Sequence, residues 1–173
     1  EALVREDLTY RVQQCFARHG YSPIETPTLE VLDVMEAGGH VPASPFKLFD
    51  SRGDLLAMRP DVTMQIARMC ATRITSFDPA VKLRYTQRVF REKTAEAAAR
   101  ELTQMGVECL GESGVEADAN IIALFSEALA ETRISEYRIA LGSARACLLL
   151  PDGCWLGKRS LSCVPYLELR SAR

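Results

Sequence analysis

The chain has 173 residues, enough for one ordinary domain with a real core. Its 47% hydrophobic and 25% charged residues are those of a globular chain in water, and no apolar run approaches the roughly 18 residues of a membrane span. A net charge of −2 gives no global argument for nucleic-acid binding. Six cysteines show no C-x-x-C pair and no zinc-type Cys/His spacing, so no metal site is expected and scattered thiols suit a reducing cytoplasm. The charged start, EALVREDLTY, does not read as a signal peptide.

Residues 3–19 read as a helix, with Val4, Leu8, Val12, Cys15 and Phe16 at helical spacing and Gly20 as its stop. The chain opens inside that helix, as though a preceding piece were missing. His19, near its end, reads as a partner for the helix dipole rather than a ligand. GYSPIETPTLEV then runs extended, because Pro23 and Pro27 push their predecessors out of the α region. Residues 29–37 are expected to be a short helix, followed by a Gly-Gly loop in which His40 is solvated. Residues 46–50 and 55–58 flank a turn at 51–54 and read as a hairpin.

A second helix is expected after Arg59-Pro60-Asp61-Val62-Thr63, with Asp61 or Thr63 as its cap and Val62, Ile66, Met69, Cys70 and Ile74 as its buried stripe. Residues 82–111 follow as two strands joined by a long, charged, Ala-rich loop, a length that is usually functional or disordered. Gln104 and Glu108 lie at even spacing on the return strand, so both point to one face. Arg84, Arg88 and Arg91 are candidates for surface pairs with Glu92 and its neighbours. Residues 116–131 form a third amphipathic helix, with Ile121, Phe125, Ala128 and Leu129 inward, and 137–141 a short strand. The sum is an α+β arrangement, an antiparallel sheet flanked by helices.

Residues 142–173 hold three of the six cysteines and the only Trp, without a persistent amphipathic pattern. The expected division is 1–141 as a core and 142–173 as an atypical tail, with a composition like that of GC-rich DNA read out of frame.

Two carboxylates, a hydroxyl and an amide suit a small cationic ligand: an ammonium donates three hydrogen bonds and favours carboxylates. Asp61 and Thr63 at a strand-to-helix junction, with Gln104 and Glu108 on the hairpin, supply that set. Arg91 suits a phosphate or carboxylate instead. Read alone, Asp61 and Thr63 serve equally as a helix cap, and Gln104 and Glu108 as solvated strand residues.

GYSPIETPTLE, LLAMRPDVTMQIAR and VFREK to VECLG, in that order, resemble the class II aminoacyl-tRNA synthetase core in its histidyl branch, over residues 1–141. The resemblance implies that Pro27 marks the dimer-interface motif and that Arg91 matches the arginine on the ATP α-phosphate. It further implies that Asp61, Thr63, Gln104 and Glu108 match the histidine-binding residues. The R-P-D-x-T run looks more like the regulatory subunits of ATP phosphoribosyltransferase, paralogues that sense histidine without charging tRNA. Lys93 stands where an active synthetase usually has Glu, and neither motif 3 nor the second histidine-specific block is found.

The resemblance therefore implies a noncatalytic, histidine-sensing, cytoplasmic subunit with no cofactor. Its partners would be a short-form ATP phosphoribosyltransferase catalytic subunit and L-histidine, in a homodimer within a hetero-oligomer, with tRNA binding and membrane association not expected. The alternative is a histidyl-tRNA synthetase core fragment, which would use ATP and Mg to activate histidine. A dimerisation piece without a ligand is the third.

Overall fold

The structure, a computed structural model, describes residues 1–37, 45–92, 100–134, 137–140 and 168–171. The loop containing His40 and residues 93–99 of the charged loop expected over 92–100 lie outside the described residues. The chain divides into two units, Glu1–Thr132 and Arg133–Arg173.

In the first unit α1 (Ala2–Arg18) buries Val12, Cys15 and Phe16, an i, i+3, i+4 set on one face. Val4, expected on that stripe, is exposed, so burial begins two turns into the helix. Gly20 adopts φ 82°, which L side chains rarely adopt. Its N–H reaches Ala17 O at 3.0 Å while Tyr21 N–H reaches Phe16 O at 3.2 Å, the paired closure of a Schellman motif. The chain then runs as β1 (Ser22–Pro23) and β2 (Leu29–Val31), and only α2 (Leu32–Ala37) is helical. The helix expected from residue 29 thus starts three residues late. Leu29, Glu30 and Val31 are taken by antiparallel pairing with Met58, Ala57 and Leu56, a tertiary partner that overrides local helix preference.

The expected hairpin forms as β3 (Lys47–Phe49) and β4 (Leu55–Met58). Next come α3 (Thr63–Arg73), β5 (Val81–Phe90), β6 (Glu101–Leu110) and α4 (Val115–Glu131). The α+β arrangement of sheet and flanking helices forms as expected. The strands of this unit form two three-stranded sheets, β1-β5-β6 and β2-β4-β3, and β1 runs parallel to β5. The two sheets meet at Arg59, whose N–H bonds Thr28 O at 3.0 Å and whose carbonyl accepts from Phe90 N–H at 2.9 Å.

The β5–β6 ribbon lies between two apolar layers. On one face Tyr85 and Val89 pack with Val62, Ile66 and Cys70 of α3 and its entry. On the other face Val107 and Cys109 pack against Val12, Cys15, Phe16, Leu124 and Ala128 of α1 and α4. Of the expected α3 stripe, Val62, Ile66 and Cys70 are buried, while Met69 and Ile74 are only partly so. Leu124, absent from the expected α4 face, is its most buried residue at 3% exposure.

In the second unit β7 (Tyr137–Ala140) pairs antiparallel with β8 (Glu168–Ser171). A strand at 168–171 was not foreseen in a stretch without alternating polarity. This unit begins at Arg133, and its β7 pairs with a strand from the C-terminal segment.

Ile66 is fully buried in the α3 layer. Ile66→Ala is expected to cost about 2–5 kcal/mol through lost transfer and a residual cavity. The equivalent change at Val115, 84% exposed, should move stability by no more than about 0.5 kcal/mol. Urea titrations of both variants check the contrast.

Candidate functional site

The site is built where the first turn of α3 passes over β5–β6. Strand register sets Tyr85 opposite Gly106, Gln87 opposite Gln104 and Leu83 opposite Glu108. Gln104, Gly106 and Glu108 therefore share the α3 face, as their even spacing requires. Gly106 is a packing requirement: a Cβ there would lie 2.5 Å from the Tyr85 hydroxyl. The Tyr85 ring folds across its backbone, and the hydroxyl lands 3.2 Å from Gln104 Nε2.

Asp61 and Thr63 reach the same place from the helix side. Asp61 Oδ1 accepts the Thr63 N–H at 2.8 Å, which satisfies one of the free donors at the start of α3. The expected cap thus comes from Asp61, two residues ahead, and not from the Thr63 hydroxyl. That hydroxyl is used elsewhere, donating to Glu108 Oε1 at 2.7 Å. Gln104 Nε2 donates to Asp61 Oδ2 at 3.2 Å. All four residues selected from the sequence converge, joined across 43 and 45 positions of chain.

Arg91 is fixed beside them: its Nε donates to Pro60 O at 2.8 Å and its Nη2 lies 3.8 Å from Asp61 Oδ2. Arg84 and Arg88, grouped with it in sequence, face away. Arg84 donates to Gln13 Oε1 at 2.6 Å and Tyr21 O at 3.0 Å, and Arg88 pairs with Glu101. Among the described residues these contacts, rather than pairs with Glu92, hold Arg84 and Arg88; residues 93–99 lie outside them. Pro27 is exposed on the connection between β1 and β2, and its carbonyl accepts from Gln65 Nε2 at 3.1 Å.

Sequence reasoning missed Tyr85 as a site residue, grouping it with the apolar strand positions. It also passed over Arg59, 6% exposed, which donates to Arg88 O at 2.7 Å and Thr26 O at 2.6 Å from beneath the site. The parity of Tyr85 with Leu83 and Gln87 was readable; that Gly106 lies opposite required the register.

Electrostatically the pocket holds more acid than base. Burial pushes the Glu108 carboxyl above its ordinary 4.5, and the Asp61 charge adds to this while the Thr63 hydrogen bond opposes it. Burial also raises the Tyr85 phenol to about 12, helped by the Glu108 charge, so the hydroxyl stays protonated. Gln104 Oε1 is buried and has no hydrogen-bond partner among the described residues. A buried carbonyl oxygen left in that state is costly, and a donor brought by a ligand would relieve it. An acid-rich cluster with a spare amide acceptor and one flanking guanidinium can take a small molecule carrying both ammonium and carboxylate groups.

Comparison with known proteins bears on this geometry. Residues 1–153 match the protein-family model for histidyl-tRNA synthetase. An ATP phosphoribosyltransferase regulatory subunit of Moorella thermoacetica is 38% identical over 147 residues, covering 82% of this chain and 37% of that relative. The same-named subunit of Synechococcus sp. (strain JA-3-3Ab) is 37% identical over 177 residues, covering 97% of this chain and 43% of that relative. That alignment runs through the C-terminal segment, against the out-of-frame reading of its composition. A solved structure, described as an ATP phosphoribosyltransferase regulatory subunit/histidyl-tRNA synthetase from Bacillus halodurans C, superposes with a TM-score of 0.74. It is 30% identical, over 83% of this chain and 37% of that one. The chain thus spans less than half the length of these relatives.

Because the folded pKa of Glu108 lies above its unfolded value, the native state holds a proton the unfolded state has released, and stability falls as pH rises through that interval. Glu108→Gln is expected to be relatively more stable than the parent above the interval and to lose that advantage below pH 4.5. Denaturation at a series of pH values reads the difference; a pH-independent gap would remove Glu108 from the buried cluster.

Proposed function

The chain belongs to the histidyl-tRNA synthetase family, and from that premise we propose that it acts as the histidine-sensing regulatory subunit of an ATP phosphoribosyltransferase. The observation carrying this reading is the hydrogen-bonded convergence of Asp61, Thr63, Gln104 and Glu108, with a buried Gln104 Oε1 that has no hydrogen-bond partner among the described residues. Histidine supplies what the cluster lacks. Its ammonium matches Asp61 and Glu108, whose carboxylates have further lone pairs to offer, and an imidazole N–H matches the Gln104 oxygen. Arg91 stands ready for an anionic group, either the ligand's own carboxylate or a phosphate.

The reading requires neither ATP nor magnesium, and it assigns the chemistry to a separate short-form catalytic subunit. Feedback then follows from linkage: histidine inhibits only by binding the inactive arrangement of the complex more tightly than the active one. Exposed Pro27, with Leu29 and Val31 at 42% and 41% exposure beside it, suits a homodimer contact within that assembly. A cytoplasmic setting suits a subunit whose partner uses soluble nucleotides, and among the described residues no helix is long and apolar enough to cross a membrane.

Calorimetric titration with L-histidine tests the pocket. Asp61→Ala and Glu108→Ala are each expected to weaken binding by about 1.5–3 kcal/mol, the range for a hydrogen bond to a charged group. Unchanged affinity in both variants would refute the assignment. Co-purification with a short-form phosphoribosyltransferase subunit tests the partnership, and clear histidine-dependent ATP–pyrophosphate exchange would turn the reading toward a synthetase.

A further inference from the structure

Away from that pocket, the end of α1 and the middle of α4 bring a thiol, an imidazole and a carboxylate together. Cys15 and His19 are four residues apart at the C-terminal end of α1, neighbours across one helical turn. Glu127 comes from α4. The Cys15 Sγ, a His19 ring nitrogen and a Glu127 carboxylate oxygen all lie within 4.8 Å of one another. His19 Nε2 is 2.8 Å from Glu127 Oε2. Cys15 is fully buried, whereas the His19 and Glu127 side chains are 43% and 45% exposed. A thiol therefore forms the floor of a shallow site whose other two donors stand at its mouth.

The spacing suits a metal ion. Bond lengths of about 2.0–2.3 Å from zinc to N, O and S donors put the donor atoms about 3.3–3.8 Å apart in a tetrahedron. The His19–Glu127 separation of 2.8 Å would widen to that range, an adjustment open to these two exposed side chains, and the thiol lies within 4.8 Å of both. Mixed S, N and O donors favour a thiophilic ion over magnesium or calcium, which demand oxygen.

We propose that Cys15, His19 and Glu127 form a three-ligand site for a divalent cation of the zinc class, with the fourth position open to solvent. The ion would clip the end of α1 to α4. The neighbouring charges are Arg18 and Glu131. Arg18 Nη2 lies 2.6 Å from Glu131 Oε1 and 3.5 Å from Glu127 Oε1, so its tighter bond is to Glu131 and the Oε2 side of Glu127 faces His19. Binding displaces the Cys15 proton, because the thiolate is the form that ligates a metal. This site departs from the sequence expectation of no metal and of His19 as a dipole partner. No linear zinc spacing exists to be read, because the third ligand arrives from 108 residues away.

Cobalt(II) titration of the full chain tests this, reading the thiolate-to-metal charge-transfer absorption and its loss on adding zinc. A band that zinc displaces is expected, together with a zinc-dependent rise in the thermal midpoint. Cys15→Ser should abolish the band. His19→Gln and Glu127→Gln, changes at exposed positions that leave the core intact, should each weaken cobalt binding by about tenfold or more, since even outer-shell losses reach that scale. Absence of a thiolate band, a band that survives Cys15→Ser, or unchanged affinity in both exposed variants would overturn the site.

Discussion

The structure depends on how α3 is seated on the β5–β6 ribbon. Tyr85 folds flat over Gly106, and this lets the first turn of α3 descend far enough for Thr63 to reach Glu108. The same approach brings Asp61 to Gln104. A Cβ at position 106 would lie 2.5 Å from the Tyr85 hydroxyl, so the ring would have to shift. One missing Cβ thereby couples a packing constraint to the placement of four polar groups.

Beneath the helix runs a buried polar network that ties the site to the first half of the chain. The Thr26 hydroxyl lies 2.7 Å from Gln65 Oε1 and 2.8 Å from Gln87 Oε1, and Arg59 spans from Thr26 O to Arg88 O. Burial lowers the Arg59 pKa, the expected consequence of holding a guanidinium away from water among carbonyl acceptors. A buried network of this kind is held tightly, because breaking a member strands its partners in a low dielectric. Thr26 immediately precedes exposed Pro27, so this network also holds the connection between β1 and β2.

The opposite face of the ribbon does different work. There α1 and α4 cover Val107 and Cys109, and their contact is apolar at the centre and charged at the rim. The rim pairs of Arg18 with Glu131 and His19 with Glu127 are exposed, so they add little stability by themselves. Their importance lies in the chemistry that the crossing of the helices assembles.

Much of this was legible in the residues. Helical periodicity located α1, α3 and α4, prolines marked the extended segment before β2, and parity put Gln104 and Glu108 on one face. What periodicity could not supply was partners. Leu29 to Val31 look helical until β4 is beside them, and Tyr85 looks like an ordinary apolar strand residue until register sets Gly106 opposite. Likewise Cys15 and His19 form half a ligand set that only the arrival of Glu127 completes. The sequence by itself determined which residues are helical or extended and which polar groups share a face, because those follow from 3.6- and 2-residue repeats within a segment. Only the tertiary structure decided which faces meet, because strand register and helix crossing depend on side chains far apart in the chain that fit each other in space.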